Sequence, residues 1–161
     1  YQDSAVKDRE ESQNYDCILK RGVTVLQLDS RSEIRPDYIK SFKCTITGNC
    51  GNVFNPSTGY CLEKTTLTKT YDISGDRFKA KRFLFTIYFF LGGDDVTDIT
   101  LNTQTTDTED KVVKSLSFEN VHMVKGKMTI YKGPFLSTHS SASFTIDSPT
   151  IPDSGFSTEF E

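Results

Sequence analysis

The sequence predicts an all-β domain, built as a sandwich of two sheets or as a barrel, and three observations carry that prediction. Apolar and β-branched residues recur in short runs, several of which alternate with polar residues at the period of two that a strand requires. Turn-forming Gly, Pro, Asn and Asp separate these runs at near-regular intervals. The 12 Phe and 7 Tyr, against no Trp and 2 Met, supply bulky side chains that fit a pleated sheet.

Two runs show how the strands are recognised. Residues 83–91 are apolar at almost every position, which predicts a central strand covered on both faces. Residues 96–103 alternate instead, with Ile99 and Leu101 on one face and polar side chains on the other. The same criteria predict strands over residues 23–28, 42–47, 65–73, 112–124, 127–131, 143–147 and 156–160.

Long loops and turns connect the predicted strands. Residues 48–60 are rich in Gly, Asn, Pro and Ser and predict a long loop, while residues 105–110 predict a polar acidic loop. Lys125-Gly126 predicts a short hairpin turn between the strands that flank it. A helix is an alternative within residues 34–43 or 135–143.

The domain boundary is predicted from a change in composition near the start of the chain. Residues 1–16 are charged and lack periodic apolar positions, which predicts a linker or a flexible arm. Residues 17–161 then form one domain, since domains usually contain about 100–200 residues. The chain begins at Tyr1 without a signal peptide, and we interpret it as a mature protein or an excised domain.

All four cysteines lie in the first 61 residues of a polar chain, and an even number in this setting predicts two disulfides that staple the fold. Three pairings are possible, and the spacing does not choose among them. Free structural thiols are an alternative. Zinc is a further one, although there is no C-x-x-C pair and neither histidine is near. The residues concerned are Cys17, Cys44, Cys50 and Cys61.

Charge and motifs exclude several classes of function. A net charge of −3 argues against nucleic acid as the main partner, because phosphate binding needs a surplus of Lys and Arg. No segment approaches the roughly 20 apolar residues that span a bilayer. The two histidines, His122 and His139, belong to no nucleophile or metal motif. We therefore expect a binding domain that is not an enzyme and that uses no metal or cofactor.

Acidic residues are concentrated in residues 91–110, which contain no Lys or Arg, whereas residues 77–82 are basic. One interpretation is that these carboxylates are solvated and protect loops and strand edges. The other is an acidic face that captures a basic protein, with carboxylates on strands fixed at lower entropic cost than those on loops. Affinity would need apolar anchors beside the charges, and Tyr88, Val121 and Met123 are the candidates, which the sequence does not place on one face. The predicted contact residues are Asp94, Asp95, Asp98, Asp107, Glu109, Asp110, Glu119 and Tyr88.

Two stretches carry a resemblance to a known family. They are CTITGNCGNVFNPSTGYC over residues 44–61 and DISGDRFKAKRF over residues 72–83. With the size and the strand content, they resemble the C-terminal chemokine-binding domain, or SECRET domain, of orthopoxvirus secreted tumour-necrosis-factor receptor homologues. This domain is one of a wider set of poxvirus immune-evasion β-sandwiches that includes the viral CC-chemokine inhibitor. The resemblance covers nearly the whole chain and has no short defining motif.

The resemblance implies a sandwich of two sheets and a secreted decoy that sequesters host chemokines, blocking leukocyte recruitment without any chemistry. It also implies that the charged opening joins an upstream cysteine-rich, cytokine-binding module, although it fixes no contact residue. Two other classes stay open. One is an adhesive or structural β-domain at a viral or parasite surface, and the other is a secreted hydrolase with a convergent cluster of acids and bases.

Overall fold

Two β-sheets pack face to face in the computed structural model, which describes residues 21–138 and 143–150. The predicted all-β architecture is confirmed, and the one helical element described is a 3-10 turn at Asp76–Phe78. The predicted arm at residues 1–16, the strand at 156–160 and Cys17 lie outside the described residues. The strands are β1 Thr24–Asp29, β2 Ile39–Gly48, β3 Cys50–Gly51, β4 Phe54–Asn55, β5 Tyr60–Cys61, β6 Leu67–Asp72, β7 Leu84–Leu91, β8 Val96–Asp107, β9 Val112–Val124, β10 Met128–Lys132 and β11 Thr145–Thr150.

The first sheet has five strands in the order β11-β10-β1-β7-β3. Its centre is antiparallel between β1 and β7, where Leu26 lies opposite Ile87, and parallel between β1 and β10. On β7 the residues Phe85, Ile87 and Phe89 are buried. Tyr88 on the opposite face is 65% exposed. The prediction that β7 is covered on both faces is therefore wrong for its outer face, because nothing described here packs over Tyr88.

The second sheet has four antiparallel strands in the order β6-β2-β8-β9. The alternation predicted for residues 96–103 is confirmed, since Ile99 and Leu101 point into the core while Asp98 faces out. The strand continues further than expected, to Asp107, because its pairing with β2 extends to Ile39 opposite Asp107. Thr105 in this extension is buried, and its hydroxyl donates a hydrogen bond to the carbonyl of Phe135 at 3.1 Å. Most of the predicted loop at 105–110 is thus strand or tight turn.

The core lies between the two sheets and is rich in aromatic rings. Phe42 on β2 stacks on Phe85 of β7 with ring centroids 4.2 Å apart, which joins the second sheet to the first. Phe135 meets Phe42 edge-on at 6.0 Å and closes one end of the core. Such offset and edge-to-face pairs are the arrangements that aromatic rings prefer. The surplus of Phe in the sequence therefore fills the space between the sheets.

Three connections differ from the predictions. Residues 48–60 contain β3, which joins the edge of the first sheet, and β4, which pairs with β5 in a small hairpin. No helix forms at 34–43, where a turn leads into β2, nor within the described part of 135–143. Lys125-Gly126 is a turn, but β9 and β10 do not pair. The turn instead carries the chain from the second sheet to the first, where β10 lies parallel to β1. A β-carbon on Gly126 would lie 2.6 Å from the carbonyl oxygen of Arg21, so this crossing requires glycine.

The sandwich has two ends, and each is formed by a different set of loops and turns. The first, called here the Asp94 end, contains residues 92–95 between β7 and β8 and the turn at 125–127. The second, the Arg82 end, contains residues 30–38, 73–83, 108–111 and 133–138. The eight residues of β7 separate the two ends by roughly 25 Å at about 3.3 Å per residue.

The prediction of two disulfides is wrong. Any two bridges among four cysteines need a bond between two of Cys44, Cys50 and Cys61, and all three are free thiols. Three different elements hold them: Cys44 points into the core from β2, Cys50 lies on β3, and Cys61 lies on β5. Buried free cysteine acts as a small apolar side chain, so Cys44 and Cys50 contribute packing where the sequence indicated cross-links.

The burial of the thiols predicts which of them reacts. Burial raises the pKa of Cys44 to about 12 and that of Cys50 to about 11, so both are protonated at pH 8. Thiolate is the nucleophile, and Cys61 is only half-buried. Iodoacetamide at pH 8 on the native protein should therefore alkylate Cys61 well before Cys44, as read by peptide mass spectrometry. A Cys50–Cys61 peptide lighter by two hydrogens would contradict the free thiols.

Candidate functional site

The eight predicted contact residues fall into three separate places. Asp94, Asp95, Asp98 and Glu119 lie towards the Asp94 end, on or beside β8 and β9. Asp107, Glu109 and Asp110 lie at the other end of the same strand, roughly 30 Å away at about 3.3 Å per residue. Tyr88 lies on the outer face of the first sheet. The single acidic face that the sequence predicted is therefore two acidic groups at opposite ends of one strand.

The group at Asp107–Asp110 holds the turn between β8 and β9. The carboxylate of Asp107 accepts hydrogen bonds from the backbone N–H groups of Glu109 and Lys111, both at 2.9 Å. Asp110 has a left-handed φ of 63° and its carboxylate binds Lys40 at 2.7 Å. The carboxylates of Asp107 and Asp110 therefore stabilise the turn itself. Among the described residues, the carboxylate of Glu109 makes no hydrogen bond or ion pair of this kind.

Asp94, Asp95, Asp98 and Glu119 form the candidate site, called here the acidic corner. Asp98 is held by the ladder between β8 and β9, where it lies opposite His122. Its carboxylate is 3.1 Å from Nδ1 of His122, and both side chains are more than half exposed. A strand inside a sheet fixes the position of this carboxylate without the entropic cost that a loop would add.

Glu119 reaches the corner through a β-bulge. Ile99 pairs with Val121 but Leu101 pairs with Phe118, so Glu119 and Asn120 both lie opposite one residue of β8. Asn120 adopts a left-handed φ of 55°, which is typical of an extra residue in a bulge. The bulge lets residues on either side of it face the core, and it leaves Glu119 exposed near Asp98.

Asp94 and Asp95 precede β8 and are tied to neighbouring loops. Asp95 accepts a hydrogen bond from the hydroxyl of Tyr60 at 2.8 Å and lies 3.7 Å from the ammonium of Lys125. That ammonium also lies 3.6 Å from the centre of the Tyr60 ring. The hydrogen bond to Asp95 raises the pKa of the Tyr60 hydroxyl. Lys125 therefore neutralises part of the charge on Asp95. Among the described residues, the side chain of Asp94 has one hydrogen bond, a long one of 3.4 Å from the amide of Asn49.

Sequence reasoning both missed and misplaced residues of this corner. His122 and Tyr60 belong to it, and neither was among the predicted contact residues. Val121 and Met123 were candidate anchors, but both are fully buried and contribute to the core. Cross-strand pairing would have placed His122 opposite Asp98 had the register been known, whereas nothing in the sequence joins Tyr60 to Asp95.

Tyr88 lies on an apolar surface that is distinct from the acidic corner. Leu84 on the same face of β7 is 41% exposed, and the ring of Phe90 contacts Phe54 from the small hairpin at 4.9 Å. Val25 lies opposite Tyr88 on β1 but is buried, so the exposed apolar side chains of this face are Leu84 and Tyr88. Exposed apolar groups in one place are typical of interaction surfaces. This outer face is therefore a second candidate binding surface. None of the residues named on it carries a carboxylate.

The described residues contain neither a candidate metal site nor a candidate membrane-spanning helix. Within 21–138 and 143–150, no three His, Cys, Asp or Glu side chains are grouped so that they could hold a metal ion. A helix long and apolar enough to cross a membrane is likewise absent from this part of the chain. Comparisons with models of protein families, with curated proteins and with solved structures find no match to this chain.

Proposed function

We propose that the chain is a secreted decoy that binds host chemokines, which are small basic proteins, and so blocks leukocyte recruitment. The observation that supports this most is the acidic corner, where exposed carboxylates are fixed by paired strands. Asp98 and Glu119 come from different strands and are both exposed. Carboxylates on one rigid surface speed the encounter with a basic partner and discriminate against acidic ones.

Affinity needs apolar anchors beside the charges, because charge complementarity contributes mainly to rate and specificity. Tyr88 on the outer face of the first sheet is the exposed aromatic side chain closest in sequence to the corner. The six residues from Tyr88 to Asp94 span at most about 20 Å of extended chain. Tyr88 nevertheless faces out of the first sheet and Asp98 faces out of the second, so the two side chains lie on opposite faces of the sandwich and do not share one interface. We propose that the ligand contacts the acidic corner, where Val96 is 48% exposed next to Asp95 and offers an apolar contact.

Charge reversal at the corner tests the proposal. The variant Asp98→Lys/Glu119→Lys should associate with chemokines about tenfold more slowly than the parent at low salt, because electrostatic steering is lost. The measurement is surface-plasmon resonance against a panel of chemokines and acidic control proteins, at low and at physiological salt.

The matched control is Asp76→Lys/Glu109→Lys, which changes the net charge equally at the Arg82 end. It should keep the parental association rate to within about twofold, because screening weakens charges beyond roughly 10 Å. Equal losses in both variants would show that net charge matters and the corner does not. Failure of the parent to bind any chemokine would overturn the proposed function.

The exposed apolar side chains of the first sheet favour one alternative, an adhesive or structural β-domain that binds another protein through this face. Leu84 and Tyr88 are large, apolar and exposed on the same face of β7, with Thr86 between them. Binding through such a face depends little on ionic strength, whereas steered capture of a basic ligand slows as salt rises. The salt series in the same experiment therefore distinguishes the two functions.

A further inference from the structure

The Arg82 end of the sandwich presents basic side chains that the proposed function does not use. Arg77, Lys79, Lys81 and Arg82 are all exposed within one loop, and Arg31 from the neighbouring segment is 59% exposed. These five residues are called here the basic strip. They stand out in a chain whose net charge is −3. A cluster of Lys and Arg within a few residues is typical of surfaces that bind polyanions.

Much of the strip's charge is available to a ligand. Arg77, Lys81 and Arg82 form no ion pair with a carboxylate in the described chain. Lys79 has a loose pair at 3.9 Å with Asp76, which is itself fully exposed. Arg31 is the exception, because it binds the buried Asp29 through two nitrogens at 2.9 and 2.7 Å and holds the pKa of that carboxyl below its ordinary value.

The loop that carries the strip is held in one conformation. The guanidinium of Arg35 is almost fully buried and donates to the carbonyls of Ile39 at 2.6 Å and Phe78 at 3.4 Å. The backbone N–H of Arg35 donates to the carbonyl of Lys81 at 3.2 Å. Arg82 donates to the carbonyl of Arg31 at 2.8 Å, which joins the two segments of the strip. The backbone that carries these cations is therefore ordered before a ligand binds, which lowers the entropic cost of binding.

The strip leads into an open cleft of about 540 Å³ at the end of the first sheet. The cleft is lined by Arg31, Ser32, Arg82 and Lys132, with Asp29 at its base. Lys132 pairs with Asp147 at 2.6 Å and Arg31 pairs with Asp29, so the guanidinium of Arg82 is the positive group of the cleft that no carboxylate of the described residues pairs with. Arginine presents a planar fork of donors that fits sulfate and phosphate oxygens in pairs.

We propose that the basic strip and this cleft bind a sulfated polysaccharide. The strip carries no exposed aromatic ring for stacking on bases, since Phe78 is half-buried beneath the guanidinium of Arg77 at 4.6 Å. Residues 77–82 also contain no exposed large apolar side chain of the kind on which a protein partner or a membrane surface depends, and the exposed Ile34, Tyr38 and Leu84 lie outside the strip. A linear sulfated chain needs only spaced cations and donors. The acidic corner lies at the opposite end of β7, so the two ligands do not compete for one surface.

The test is binding to immobilised heparin at several salt concentrations. The variant Lys79→Gln/Lys81→Gln/Arg82→Gln should lose at least about tenfold in affinity at physiological salt, and the slope of log affinity against log salt should fall by about three. The single variant Lys81→Gln should lose about threefold while keeping the parental circular dichroism spectrum, which separates ligand contact from misfolding. The control Lys43→Gln/Lys64→Gln/Lys127→Gln removes the same charge elsewhere and should bind as the parent does.

Three results would overturn the proposal: a parent that does not bind heparin at physiological salt, a control variant that loses as much as the strip variant, or duplex DNA of equal length bound as tightly as heparin. No chemokine is present in this experiment. The variant Asp98→Lys/Glu119→Lys should keep full heparin affinity, so that failure of the chemokine proposal and failure of this one are separate observations.

Discussion

Replacing Phe42 with alanine should lower the free energy of unfolding by about 3–5 kcal/mol, the range measured for Phe→Ala in protein cores. Phe42 is fully buried and is the ring through which β2 contacts the first sheet. Its removal leaves a cavity next to Phe85 and Phe135, and both lose a ring partner. A domain of this size has a total stability of about 5–15 kcal/mol, so the variant approaches the point of unfolding.

Urea denaturation followed by circular dichroism and tyrosine fluorescence measures this effect, since the chain contains no Trp. The matched control is Tyr88→Ala, which removes an aromatic ring of similar size that is 65% exposed. We expect the control to cost less than about 1 kcal/mol, because the side chain leaves little protein surface unpacked. If both variants lost the same stability, the two sheets could not pack as described.

The strands that the sequence predicted correctly are those whose two faces differ. β8 alternates because Ile99 and Leu101 face the core while Asp98 faces water, and that difference is visible as a period of two. On β7 the outer residues are apolar too, so periodicity could not show that Tyr88 is exposed. The bulge at Glu119 and Asn120 shifts the alternation of β9, and only the pairing with β8 reveals it.

Tertiary relations account for the remaining differences. Lys125-Gly126 has the composition of a hairpin turn, yet β10 pairs with β1, which precedes it by about a hundred residues in the chain. Local turn chemistry fixes the bend and leaves the choice of partner strand to the core. The cysteines were read from number and spacing, but Cys44 occupies an inward position on β2, where packing decides its role.

The candidate site shows the same division between local and long-range information. Residues 91–110 are acidic as a run, and strand geometry then separates Asp98 from Asp107 by roughly 30 Å. The pairing of β8 with β9 brings Asp98 and Glu119 together although they are 21 residues apart. Charge composition could therefore predict that an acidic surface exists. Which carboxylates share that surface depends on the register between β8 and β9.

Replacing Arg35 with methionine should cost roughly 2–3 kcal/mol of stability and also weaken the binding of heparin. Hydrogen bonds from a charged donor contribute about 1.5–3 kcal/mol, and the carbonyls of Ile39 and Phe78 lose theirs. Methionine keeps most of the apolar volume, so the loss reports on the guanidinium and less on a cavity. The segment of residues 76–83 then loses the side-chain hydrogen bond to Phe78 and keeps the backbone bond from residue 35 to the carbonyl of Lys81, so its cations are less well ordered before binding.

The side chain of Arg35 is only 3% exposed and cannot itself touch a polysaccharide. A fall of about threefold in heparin affinity would thus report the ordering of the loop. Hydrogen exchange should show faster exchange at the amide of Lys81, which donates to the carbonyl of Phe78 at 3.2 Å. The control Lys64→Met removes the same charge at an exposed position and should change neither stability nor exchange. If Arg35→Met behaved like this control, the buried guanidinium would not be what holds the basic strip in place.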